Sequence, residues 1–136
     1  MKLPKNLSSN HSLKANNSLK LNYAADYFVS CDSEKDLFLI YDFLEEKKIK
    51  YWIFGDGTNL ILKNNLKGLV IKNNLKGFSV NGNSVIVSAG ENWDEVVSKS
   101  LKKNLYGLEN LSGNLDLLEL HQYKILEHTA PKYQIL

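Results

Sequence analysis

Apolar residues recur along this chain with two periods, and each period predicts a different kind of element. Leu37, Ile40, Tyr41 and Leu44 fall at i, i+3, i+4 and i+7, the spacing of one buried stripe on an α-helix. Ser33 and Asp36 stand three apart at its start, where each can satisfy an exposed amide. Glu45 and Glu46, beside Lys47, Lys48 and Lys50, read as a solvated helix end. Trp93, Val96, Val97 and Leu101 mark a second helix, capped by Asn92 with Glu95 three residues on and ending near Asn104. Strands are expected at "YFVSC" (Tyr27–Cys31), at "YWIF" (Tyr51–Phe54), read as buried from its large apolar residues, and in "GLVIKNN". Two alternating runs flank Asn81–Gly82–Asn83, a hairpin signal. Between these runs lie "GDGTN", then "LIL", then a turn at Lys63–Asn65. Residues 1–21 carry no such period and read as an extended polar leader. Strand, helix, strand, loop, several strands, helix is an α+β order.

Composition narrows the possible chemistry. The chain has 136 residues, room for one modest domain, and 43% are hydrophobic, as in an ordinary globular protein. All 17 basic residues are scattered lysines and the net charge is only +2, so neither clustered charge nor arginine forks point to nucleic acid. The abundance of lysine and asparagine, as in "KNN", suggests an AT-rich gene. Cys31 is the only cysteine, so an intrachain disulfide is excluded and no metal site can rest on cysteine. A reduced cytoplasmic setting is expected, with no metal. The N-terminus lacks an apolar signal-peptide core, and no apolar run approaches membrane-spanning length, so no membrane insertion is expected.

"FGDGTNLIL" is the most informative stretch. Gly55 and Gly57, one residue apart after a strand, allow positive φ and close approach to the backbone. Successive amides there can form a nest for an anion, with Thr58 and Asn59 adding donors, and a pyrophosphate is the natural guest. A tight strand-to-strand turn is the plainer alternative. A dinucleotide fingerprint of the Rossmann kind is disfavoured, because the third glycine and the following helix are missing. "SAGENW" (Ser88–Trp93) and "GLENLSG" (Gly107–Gly113) are two further glycine loops beside a strand or helix end. Three such loops could converge on one extended ligand.

Taken in order, "NHSLK", "NNSL", "FGDGTNLIL", "GLVIKN", "SAGENW" and "GLENLSG" resemble the UDP-N-acetylenolpyruvoylglucosamine reductases of peptidoglycan precursor synthesis, from about Asn10 to Gly113. The loop is similar to that family's Gly-x-Gly-Ser-Asn, with Thr58 in the serine position. The resemblance implies a vanillyl-alcohol-oxidase-type (PCMH-type) FAD-binding fold that holds FAD non-covalently. It implies a first lobe complete over 22–75 and a second lobe begun over 76–113 and truncated. It assigns Gly55, Asp56, Gly57, Thr58 and Asn59 to the FAD pyrophosphate, and places Ala89, Gly90 and the Gly107–Gly113 loop, with Glu109 and Asn110, near the flavin. The implied reaction uses NADPH to reduce FAD, which passes a hydride to the enol ether of a UDP-sugar while an acid protonates the neighbouring carbon. The product is UDP-N-acetylmuramate, a precursor for cell wall biogenesis and so for cell shape and division. The family's catalytic serine, arginine and glutamate have no counterpart here, so no catalytic residue is assigned. The alternative from another class is a non-catalytic flavin- or nucleotide-binding domain.

After Gly113 the resemblance stops abruptly. The family continues Ile-Pro-Gly-x-Val-Gly-Ala-x-Pro-Ile-Gln-Asn-Ile-Gly-Ala-Tyr-Gly, whereas this chain continues "NLDLLELHQYKILEHTAPKY". Allowed codons for this stretch, with one T restored in the Asn114 codon, read Ile-Pro-Gly-Ser-Val-Gly-Ala-Ser-Pro-Ile-Gln-Asn-Ile-Gly-Ala-Tyr-Gly in the other frame. Third bases are free, but the last two bases of each restored codon are dictated by the next observed residue. Leu118–Glu119 and Leu126–Glu127 each force the second-position G that the family's glycines require. Residues 114–136 are therefore expected to be an out-of-frame tail without native structure, and His121 and His128 receive no role. A real amphipathic segment is the alternative. The expected outcome for this chain alone is no turnover.

Overall fold

A computed structural model describes residues 3–58 and 60–109, and the backbone of 132–135. The chain divides into two compact units, Met1–Asn74 and Leu75–Leu136.

The first unit is built on a four-stranded sheet in the order β1-β2-β4-β3. Its strands are β1 (Ser8–Ser12), β2 (Ala24–Cys31), β3 (Tyr51–Phe54) and β4 (Leu66–Asn73), with helix α1 (Glu34–Lys47) between β2 and β3. β1 runs antiparallel to β2, and β4 lies parallel to both β2 and β3. β4 is therefore central, and Leu69, Val70 and Ile71 are all buried because both faces of the sheet are covered. On one face, Leu13, Ala25, Phe54, Leu62 and Val70 form a cluster supported by Leu21, Trp52 and Leu60. On the other, Phe43 of α1 meets Tyr27 edge to face at 5.6 Å.

Several expectations need correction. Within the expected polar leader, Ser8–Ser12 is an edge strand, Leu13–Asn16 is a 3-10 turn, and Leu13 is fully buried. An edge strand with exposed polar residues shows no hydrophobic alternation, so only Leu13 could have signalled it. The α1 stripe turns toward Phe43 (2% exposed), while Tyr41 is 53% exposed, because the sheet meets the i, i+3, i+6 line from Leu37. "YWIF" is an edge strand with Tyr51 exposed, and "LIL" is an extended loop that buries Leu62 without strand pairing.

Helix α1 starts as its sequence suggests. The Ser33 hydroxyl accepts from Asp36 N and donates to the Asp36 carboxylate at 2.7 Å. It ends on Lys48 at φ +51, whose amide donates to Leu44 O. A break in register between Ala25 and Tyr27 bulges β4 at Gly68 (φ +132), and the Asp26 carboxylate accepts from Gly68 N at 3.0 Å.

The second unit begins with the hairpin β5 (Phe78–Asn81) and β6 (Ser84–Ser88). Gly82 at φ +59 is the first central residue of its two-residue turn, the position where a type II′ turn requires glycine. Helix α2 (Trp93–Leu101) follows, and Val85, Val87, Trp93, Val96 and Val97 form the core with Phe78, Leu105 and Leu108. Ser100 is buried and Leu101 is 37% exposed, so the α2 stripe also departs from the expected one by one position. The Asn92 side chain accepts from Glu95 N at 3.2 Å. Leu105 N→Ser100 O and Asn104 N→Leu101 O close the helix as a Schellman motif, with Asn104 at φ +58.

Lys132–Ile135 forms β7, antiparallel to β6 on the side away from β5. The expectation of no structure over 114–136 is corrected for these four residues; the remainder lies outside the described residues. A ladder is made of backbone bonds, so the open edge of β6 accepts any segment able to extend, and "KYQI" has strand-favouring Tyr and Ile.

Candidate functional site

The loop after β3 is shaped from below by the turn after β1. Gly57 sits at φ +70, and an added Cβ would lie 2.1 Å from Asn16 O, so only glycine lets the two backbones meet. The Gly57 carbonyl accepts from Ser18 N at 3.0 Å, and the Thr58 carbonyl accepts from the Ser18 hydroxyl at 3.1 Å. Asn17, 2% exposed, fixes that turn: its side-chain nitrogen donates to Leu13 O and Leu21 O, and its oxygen accepts from Leu21 N.

From the side, Lys72 of β4 reaches under the loop. Its ammonium donates to the Gly55 carbonyl and pairs with Asp56 Oδ1 at 3.1 Å. The Lys72 side chain is 19% exposed and that of Asp56 57%. In a trans peptide the N–H points opposite to the C=O. The bonds to the Gly55 and Gly57 carbonyls therefore turn the amides of Asp56 and Thr58 away from Lys72 and Ser18. The Thr58 hydroxyl is buried and has no partner. Two amides turned away from these partners, a buried hydroxyl without a partner and a nearby ammonium are a donor set that suits a pyrophosphate. The residues present fit FAD. Asn59 lies outside the described residues.

Ala89 and Gly90 belong to the second unit, in the turn between β6 and α2. Ala89 is buried; Gly90 N donates to Leu75 O at 3.0 Å, and the Gly90 carbonyl accepts from the Lys76 ammonium. Glu91 holds the turn, accepting from Gly77 N at 2.8 Å and pairing with Lys99 at 3.4 Å. The Lys99 ammonium is held above its ordinary value: desolvation, the largest influence, pulls it down, and Glu91 and Glu95 outweigh it. Gly107 at φ +108 donates its amide to the Glu109 carboxylate at 2.5 Å, so Glu109 is engaged in its own turn. Asn110 and the rest of the Gly107–Gly113 loop lie outside the described residues.

Sequence reasoning missed Lys72, Asn17 and Ser18. They lie inside "GLVIKN" and "NNSL", stretches quoted only as parts of the resemblance, and nothing in the spacing reveals that β4 passes beside the loop. Cys31 is 2% exposed, and burial, reinforced by Asp36 and Asp32, pushes its thiol up to about 12. It is a core residue without nucleophilic character at neutral pH.

The family described as "FAD binding domain" matches residues 25–115. A UDP-N-acetylenolpyruvoylglucosamine reductase of Salmonella typhimurium is 35% identical over 106 residues, covering 75% of this chain and 31% of that protein. The protein of the same name from Bdellovibrio bacteriovorus is 33% identical over 111 residues, covering 78% and 33%. The crystal structure of the UDP-N-acetylenolpyruvylglucosamine reductase from Thermus caldophilus superposes with TM-score 0.58 at 22% identity, covering 79% of this chain and 36% of that one. The chain thus spans about a third of the length of the relatives it matches. Its mixed sheets and helices have the PCMH-type architecture with the second lobe truncated, and over residues 25–115 the chain belongs to the FAD-binding domain family.

Proposed function

We propose that this chain is the FAD-holding part of a UDP-N-acetylenolpyruvoylglucosamine reductase, and that alone it binds flavin without turning over substrate. The observation that carries the reading is the Gly55–Thr58 loop: its carbonyls are tied to Lys72 and Ser18, and its Thr58 hydroxyl is buried without a partner, within residues matched to FAD-binding domains. In this reading the amides of Asp56 and Thr58, the Thr58 hydroxyl and Asn59 hold the pyrophosphate. Gly57 lets the loop lie against the Asn16 backbone so that the Asp56 and Thr58 donors are fixed before the ligand arrives. Ala89, Gly90, Gly107, Glu109 and Asn110 belong to the flavin side of the site. When bound, FAD supplies the hydride chemistry, with NADPH as reductant and a UDP-sugar enol ether as substrate. The setting is peptidoglycan precursor synthesis in the cytoplasm, and among the described residues no helix is long and apolar enough to cross a membrane.

The expectation of no turnover is for these 136 residues taken alone, which span about a third of the length of the relatives they match. The family match ends at residue 115, next to Asn114, where the two reading frames are proposed to join. The test is to purify the chain, titrate it with FAD and then supply NADPH and the UDP-sugar. Saturable FAD binding with no NADPH consumption is expected. A folded chain with no affinity for FAD would refute the binding reading, and substrate-dependent NADPH oxidation would refute the inactivity. Coding DNA around Asn114–Tyr133 that does not give the family motif in the shifted frame would refute the join.

A further inference from the structure

The loop that would receive a pyrophosphate carries a carboxylate of its own. Asp56 stands between Gly55 and Gly57, and a negative side chain there opposes a dianionic guest. Lys72 is placed to resolve the conflict. It comes from the central strand β4, its stem is largely buried, and its ammonium meets both the Asp56 carboxylate and the Gly55 carbonyl. The first contact cancels charge. The second holds the Gly55–Asp56 peptide with its N–H turned the other way.

We propose that Lys72 is a positioning residue for the dinucleotide's pyrophosphate: it neutralises Asp56 and sets the orientation of the Asp56 amide, without requiring direct contact with the ligand. Neither role is carried by another cation, because Lys72 is the one ammonium joined to Gly55 or Asp56 among the described residues. The inference rests on the flavin-binding reading above.

The experiment measures FAD affinity at low salt, by quenching of flavin fluorescence, for wild type and four variants, with urea unfolding as a check on folding. Lys72→Met is expected to weaken FAD about tenfold, the scale of one unit charge roughly 6 Å away in a medium between water and protein interior. Lys72→Arg is expected to retain most of the affinity. Adding Asp56→Asn to Lys72→Met is expected to recover part of the loss, because the uncompensated carboxylate is then gone. A purely structural lysine would give no such recovery. Asp56→Asn alone, at an exposed position that tolerates the change, is expected to bind FAD severalfold tighter at low salt, with the gain fading as salt is raised. Lys72→Met binding like wild type, or Asp56→Asn weakening FAD, would overturn the proposal. So would a folded double variant no tighter than Lys72→Met. If Lys72→Met does not fold, Asp56→Asn and Lys72→Arg still decide. Wild type failing to bind FAD would be a failure of the flavin reading instead.

Discussion

One hydrogen atom in place of a methyl group decides the shape of the loop at Gly57. The φ of +70 already costs any other residue about 1–2 kcal/mol, and the 2.1 Å approach to Asn16 O adds a collision with backbone that cannot step aside. Gly57→Ala should therefore lower stability by about 2–4 kcal/mol and abolish FAD binding, read by urea midpoint and flavin titration. Gly82 is the control: its φ is +59, but nothing lies within 4 Å of an added Cβ, so Gly82→Ala should cost only about 1 kcal/mol. Cys31 makes a prediction in pH. Its folded thiol ionises near 12 and its unfolded thiol near 9, so above 9 the unfolded chain holds fewer protons and stability falls. The loss grows by at most about 1.4 kcal/mol per pH unit up to the folded value. The difference between wild type and Cys31→Ala in urea midpoint from pH 8 to 11 should show that slope; parallel curves would refute it. At this scale Gly57 was legible because positive φ leaves a mark in the sequence; Gly55, also expected to use that freedom, has no positive φ. Lys72 was not legible, since one strand lysine looks like another until the strand order is known.

Among the elements, the helices were the most legible and their margins the least. Caps at Ser33 and Asn92 stand where the spacing put them, because capping is a local matter of side chain and amide. The stripes are each one position off, at Phe43 and Ser100, because the surface a helix meets is set by the sheet rather than by its own period. The C-terminal turn of α1 offers an improvement on the natural sequence. Lys48 occupies the left-handed region at φ +51, and its ion pair with Glu45 is exposed and worth little. Lys48→Gly should raise stability by about 1 kcal/mol, seen as a higher urea midpoint with unchanged slope. Strand β1 was illegible for the opposite reason: its contribution is backbone pairing to β2, which polar residues make as well as apolar ones.

At the scale of the molecule, the two units have separate cores, Leu13 to Val70 in one and Val85 to Val97 in the other. Neither cluster draws on residues beyond Leu108 among those described. Ending the chain at Gly113 should therefore leave hydrogen-exchange protection of β2 and β4 unchanged, while β6 amides facing β7 lose theirs. Equal loss in both sheets would contradict the independence of the units. The fold class was legible in the alternation of periods and in the family resemblance. The pairing of β7 with β6 was not, since an open edge selects its partner by availability of backbone more than by sequence.

The position of β4 has a consequence for how the protein is made. In the sheet it lies between β2 and β3, yet it is the last of the four strands to be synthesised. While the chain emerges from the ribosome, β3 and the glycine loop behind it have no strand to join, and β2 lacks its partner on the edge away from β1. Residues 66–73 act as the closing segment of the nascent unit. A pause in translation just before them would prolong the interval in which the chain is most open to chaperones and proteases.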